Sequence, residues 1–215
     1  MKRFTIVVVL MAVAVWAVSD AFARTTAAGA FQNAPATVFP MLDRNARLDM
    51  IDYFNSGSST PTHNQLNGRS RITAMDSDAV TIEMTDASVY RIVLLPRKQQ
   101  TDTLFALIRT VVLPAHDSDM MFYDSQWRPL SNNKTFVAPV MADWLLPEAD
   151  KELVAGTVPF MLAEYSYDVA SSTLTVDNRL ADFLSADDWK KVGPMLRQRI
   201  EYVWNPSKAA FKKKK

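Results

Sequence analysis

Two histidines, a scatter of carboxylates and a rich set of aromatic rings are the side chains with chemical potential here, and the chain has no cysteine. His116 lies in Pro114-Ala115-His116-Asp117-Ser118-Asp119, where an imidazole and two carboxylates offer nitrogen and oxygen ligands to a metal. The same residue types, Pro with Asp and Ser, are what a turn between strands requires. A catalytic zinc centre draws on two or three histidines. No H-E-x-x-H occurs, so the turn is the preferred reading and neither a metal nor another cofactor is expected. His63 stands in a polar loop beside Pro61 and Thr62.

Nucleophilic catalysis finds little footing. There is no thiol and no G-x-S-x-G elbow. A triad assembled in space around either histidine stays open, because triads are defined by geometry and not by order. Two-carboxylate hydrolysis needs acids paired across a cleft. The close pairs are Glu148 with Asp150, Asp187 with Asp188, and Asp76 with Asp78. Each has an ordinary role: beside Pro147, in a helix's first turn where acids suit the dipole, or framing a turn. The D-x-[DN]-x-[DN]-G order of a calcium loop is missing, and five scattered glycines exclude a phosphate-cradling loop. No catalytic residue is assigned. Phe122, Tyr123, Trp127 and Trp144, with Trp189, Tyr202 and Trp204, are first of all core material. The first four are the candidates for lining a pocket for an apolar ligand or sugar.

The elements that would hold these residues follow from the spacing of apolar side chains. Arg24–Ala30 reads as a loose leader. Pro35–Leu42 and Asn45–Phe54 read as helical, the second with Leu48 and Ile51 on one face and Gly57 as its stop. From Arg71 the period falls to two. Strands are predicted at Arg71–Met75, Ala79–Met84, Val89–Leu95, Leu104–Leu113 and Asp119–Tyr123, with Trp127–Leu130 a candidate sixth. Short polar turns between them make an antiparallel meander. Leu104–Leu113 is apolar on both faces, so it must be central and covered on both sides. The N-terminal helices supply one cover; the other must come from later in the chain, or from a ligand or partner. Ser131–Val158 reads as irregular. Met161–Val169 and Thr173–Asp177 form a hairpin. Ser185 caps a helix, with Leu184 and Trp189 placed for a hydrophobic staple. Gly193-Pro194 interrupts it, and Ile200, Tyr202 and Trp204 alternate in a last strand. The predicted fold is α+β: an antiparallel meander packed with N-terminal helices, followed by a C-terminal β-hairpin plus helix.

Lys2 and Arg3, the uncharged apolar run Phe4–Val18 and Ala21-Phe22-Ala23 stand in the order of a secretory signal, with cleavage after Ala23. The run is shorter than the ~20 residues of a spanning helix. The organisation read from this is a signal peptide at 1–23, one α+β domain at 24–205 divisible at 31–130 and 145–205, and a basic tail at 206–215. Without Lys2, Arg3 and Asp20 the charges balance, which argues against nucleic acid as a partner. The terminal lysines offer a weak contact to an anionic surface, although a solvated terminus is the preferred reading.

Several stretches are familiar together: Arg47-Leu48-Asp49-Met50-Ile51-Asp52-Tyr53-Phe54, Gly68–Met84 through Ile72-Thr73-Ala74-Met75 and Val80-Thr81-Ile82, Phe122-Tyr123-Asp124-Ser125-Gln126-Trp127, and Tyr202-Val203-Trp204. They resemble a family of exported Bacteroidales proteins known only as a domain of unknown function, across most of the chain. The resemblance implies a Gram-negative envelope or secreted location and brings no active site with it. The expected role is a non-enzymatic periplasmic binding or assembly accessory, whose partner is another protein or an apolar small molecule. Two alternatives stand beside it: a carrier of an apolar ligand in a half-barrel pocket, and a hydrolase of envelope or dietary polymers that uses His116 or a buried carboxylate.

Overall fold

Alternating apolar side chains along the strands decide the architecture. The computed structural model describes residues 25–58, 60–98 and 103–214; the expected signal peptide lies outside them. Two helices come first, α1 (Ala27–Gln32) and α2 (Arg44–Asn55). Then β1 (Thr62–His63), β2 (Arg69–Met75), β3 (Ala79–Thr85), β4 (Ser88–Leu95), β5 (Leu104–Val111) and β6 (Asp117–Tyr123) run as a meander in strand order. Three short helices follow, α3 (Asn132–Thr135), α4 (Met141–Trp144) and α5 (Lys151–Thr157). The second sheet holds β7 (Ala163–Asp168), β8 (Thr173–Asn178), β9 (Arg199–Asn205) and β10 (Ala210–Lys213), in the order β10-β9-β8-β7, with α6 (Ala186–Val192) between β8 and β9. All pairings are antiparallel. This is the predicted α+β class.

The doubly apolar strand lies where its sequence requires. On one face of β5, Phe105 and Leu107 join Ile82 and Ile92 under Phe31, Phe39, Met50 and Ile51 of the N-terminal helical region. On the other, Leu104, Ala106 and Ile108 join Val93, Leu95 and Phe122 against Leu174, Val176, Ile200 and Trp204 of the second sheet. The missing cover is therefore the protein's own second half. The two sheets meet edge to edge at β6 and β7. Asp117 Oδ1 accepts the Ala163 N–H at 3.2 Å and Ser118 Oγ accepts the Tyr165 N–H at 3.0 Å. Side chains of one sheet thus satisfy the outer edge of the other, as buried backbone donors require. Trp204 Nε1 donates to the Pro96 carbonyl at 2.8 Å and stitches β9 to the end of β4.

Several segments depart from expectation. The leader after Arg24 contains α1: Thr26 caps it by accepting the Gly29 N–H, and the small Ala27 and Ala30 let its backbone approach the sheet, where the Ala27 N–H reaches the Ser77 carbonyl at 3.0 Å. Pro35–Leu42 is a run of turns, not a helix; Pro40 has no N–H to continue one. Trp127–Leu130 is no strand. Trp127 takes a left-handed φ of 61°, and a single bridge joins Pro129 to Tyr123. The stretch 131–158, expected to be irregular, holds α3 to α5. The lysine tail, expected as a solvated terminus, is strand β10. Asn205 Oδ1 accepts the Ser207 and Lys208 N–H groups to reverse the chain. Phe211 then lays its ring against Phe122, Phe136, Tyr167 and Trp204. Phe211, with Ala209 before it, docks the strand on the core. The helix expected at Ser185 is α6, where Ser185 Oγ accepts the Asp188 N–H at 3.1 Å. It ends at Gly193, whose missing Cβ leaves room for the Trp189 ring: a Cβ there would stand 2.8 Å from Trp189 Cε2.

Candidate functional site

The largest depression among those described, about 640 Å³, lies at the end of the second sheet. Ala142, Asp143 and Leu145 form one wall, the start of β9 supplies Arg197, Arg199 and Glu201, and the end of β10 supplies Lys213 and Lys214. The fold dictates this composition. Ile200, Tyr202 and Trp204 point inward on β9, so period two sends Arg199 and Glu201 outward. Lys213 Nζ donates to Asp143 Oδ1 at 2.7 Å, and Asp143 Oδ2 accepts the Val140 N–H at 2.9 Å. The Lys213 bond, with the Val140 N–H, holds the Asp143 carboxyl below its usual range. Lys214 reaches Glu201 at 3.0 Å and Arg199 reaches Asp177 at 2.6 Å. Arg197 is exposed on the groove wall, while its backbone N–H bonds to the Trp144 carbonyl at 2.7 Å. Burial pushes the Tyr202 hydroxyl up to about 12, with Asp143 adding to the effect. The groove is thus an open, charged surface: Lys213, Lys214 and Arg199 are each paired with a carboxylate, and Arg197 stands exposed to meet an anion.

The four aromatic candidates do not come together. Phe122 and Trp144 are buried in the core between the sheets, and Tyr123 and Trp127 in the core under the N-terminal helices. Phe122 and Tyr123 are neighbours on one strand, so alternation alone puts them on opposite faces. Trp127 stacks among Phe105, Tyr123 and Phe39 and donates Nε1 to the Ala30 carbonyl at 3.0 Å. It borders a depression of about 260 Å³ beside α1. Trp144 is fully buried and its indole N–H has no protein partner.

His116 is in the loop leading into β6, its side chain 40% exposed. Its Nδ1 stands 2.9 Å from Glu164 Oε1 on β7, an ion pair only when the imidazole is protonated. Glu164 also pairs with Arg179, which reaches toward Asp182 at 3.8 Å. Burial raises the Glu164 carboxyl, but its contacts with His116 and Arg179 outweigh that and leave it below its ordinary value. The neighbouring acids are engaged elsewhere: Asp117 at the seam with β7, Asp119 in an ion pair with Arg109. Among the described residues no three His, Asp or Glu side chains gather as a metal-ligating group. The other acid pairs serve the backbone. Asp150 caps α5 by accepting the Leu153 N–H, Asp187 and Asp188 lie in the first turn of α6, and Asp76 Oδ1 accepts two turn N–H groups. His63 is exposed on β1 opposite Arg69.

Sequence reasoning missed the groove. Its signal was present: Arg199 and Glu201 alternate with the apolar residues of the last strand, and the lysine run follows. What it could not supply was the pairing of β10 with β9 that brings the two charge sets together.

Fold and groove define an α+β protein of two edge-joined antiparallel sheets with a charged surface at its C-terminal end. The chain belongs to the family described as protein of unknown function DUF3256, whose model matches residues 20–209. A solved domain of an uncharacterized protein from Porphyromonas gingivalis W83 has a similar fold, with a TM-score of 0.74 at 17% identity over 87% of this chain and 96% of that one. No curated protein matches the chain significantly.

Proposed function

We propose that the protein is an exported accessory of the Gram-negative envelope that acts by binding, in the manner of an assembly factor. The observation that carries this reading is the open groove of Arg197, Arg199, Lys213 and Lys214 around Asp143 and Glu201. A wide, charged surface at the end of a sheet suits recognition. A half-barrel carrier needs an open apolar face on the first sheet. The N-terminal helices occupy one face, and the second sheet occupies the apolar part of the other. A His116 hydrolase needs the imidazole in a cleft. Its contact with Glu164 lies on the seam of the sheets, and His116 is not in the wall of the nearby depression formed by Tyr90, Arg109, Asp117 and Asp119.

Cell fractionation with N-terminal sequencing tests the reading. The protein is expected to begin at Arg24 and to stay with the washed envelope, and the double variant Arg197→Gln/Lys214→Gln to wash off. Retention of residues 1–23 in a cytosolic protein would sink the export part. Equal partition of wild type and variant would sink the groove's role.

A further inference from the structure

The groove continues into an exposed apolar stretch that its charges do not explain. Phe136 anchors the chain by packing against Tyr202 and Phe211, with ring centroids 5.1 and 5.9 Å apart. The chain then runs outward through Val137-Ala138-Pro139-Val140, where Val137 is 67% and Val140 63% exposed. Neither β-branched side chain gains from burial within the fold. Val140 reaches the groove wall through Asp143. The Val140 N–H and Lys213 Nζ share the Asp143 carboxylate, and α3 and β10 are in contact.

We infer that this corner of the molecule lies on an anionic membrane surface, with Val137 and Val140 entering the headgroup layer and Arg197 and Lys214 meeting lipid phosphates. Peripheral binding scales with apolar area inserted plus attraction to anionic lipid, and both terms are present at one place. Lysine stems are long enough to lie along an apolar surface while their ammonium groups stay at the phosphates. A protein partner fits less well: lysine is depleted in protein interfaces, which are anchored by aromatic residues instead, and no exposed aromatic ring stands among the groove's lining residues. The inference rests on the proposed binding role and supplies its partner class.

The test is co-sedimentation with vesicles. Both cores are built from residues 27–211, so protein beginning at Arg24 keeps the fold and loses the apolar run 4–18 that would bind vesicles by itself. Binding is expected to vesicles of phosphatidylethanolamine with phosphatidylglycerol, not to phosphatidylcholine alone, and to weaken as salt rises. Arg197→Gln/Lys214→Gln should weaken it by about five-fold per charge removed. Val137→Ser/Val140→Ser should weaken it with the salt dependence unchanged. Both variants change exposed side chains, and an unaltered melting curve verifies that they fold. No binding to the anionic vesicles, or binding that either variant leaves intact, overturns the inference. So does competition by glycerol phosphate, which would make the groove a site for soluble phosphate, or preferential binding of polyglutamate, which would make it a site for an acidic protein. If vesicles fail while envelope retention still depends on the groove, the lipid assignment falls and the binding role stands.

Discussion

At the scale of single residues, the charged side chains mostly hold the fold together, and Glu164 is the clearest example. It takes His116 and Arg179 at once, from the loop before β6 and the end of β8, so it ties the two sheets at their seam. Its carboxyl sits below the ordinary value of about 4.3. An unfolded chain therefore takes up this proton at higher pH than the folded one. The stabilisation is complete above the ordinary value and disappears as pH falls through the lower, folded one. Glu164→Gln should accordingly lower the thermal midpoint at pH 7, and its gap from wild type should close as pH drops below about 4. A gap of constant size across that range would mean that the pair contributes nothing through its charge. Arg47 marks the opposite case. It is 4% exposed on α2, its Nε and Nη1 lack protein partners, and burial lowers its pKa against the pull of Asp43.

At the scale of elements, β10 shows how little sequence a strand needs when its partner is prepared. Four residues pair with β9, and three of the four offer nothing to a core. Phe211 supplies the anchoring by closing over the Phe122, Phe136 and Trp204 rings. Charged residues on the outer strand suit an edge that must not recruit another sheet. Phe211→Ala should cost about 2 kcal/mol, less than the 3–5 kcal/mol of a fully buried ring, because Phe211 is only half-buried. Urea unfolding measures the loss, and trypsin cleavage after Lys208 should quicken as the strand loosens. An unchanged midpoint would show that the strand is held by its backbone bonds alone. The groove depends on this element, since Lys213 lies in β10 and Lys214 directly after it.

At the scale of the whole molecule, the second sheet completes the first. The core between them draws on both, and the β6–β7 seam leaves neither with a free inner edge. The two halves should therefore unfold together. Trp204→Phe removes the bond to the Pro96 carbonyl and should cost about 1–2 kcal/mol while circular dichroism and tryptophan fluorescence still report one shared transition. Two separated transitions would show that each sheet is stable without the other.

Period-two alternation was legible in nearly every strand, because the burial of one face forces it. The same alternation identified β5 as a strand needing two covers. Local chemistry also marked the caps at Ser185 and the stop at Gly57. What remained hidden depended on distant partners. The small residues of α1 become helical by leaning on β3 and β4. Trp127 turns away from a strand to fill the space beside Phe39 and Phe105. The lysine tail becomes a strand by meeting Trp204. The candidate groove belongs with these. By itself the sequence determined the class of fold, most of the strands and which of their faces are apolar, and the absence of cysteine chemistry, because each follows from residue type and spacing along the chain. Only the tertiary structure decided that Asp143, Arg197, Glu201 and Lys213 face one another, because contacts between residues tens of positions apart are set by packing and not by local period.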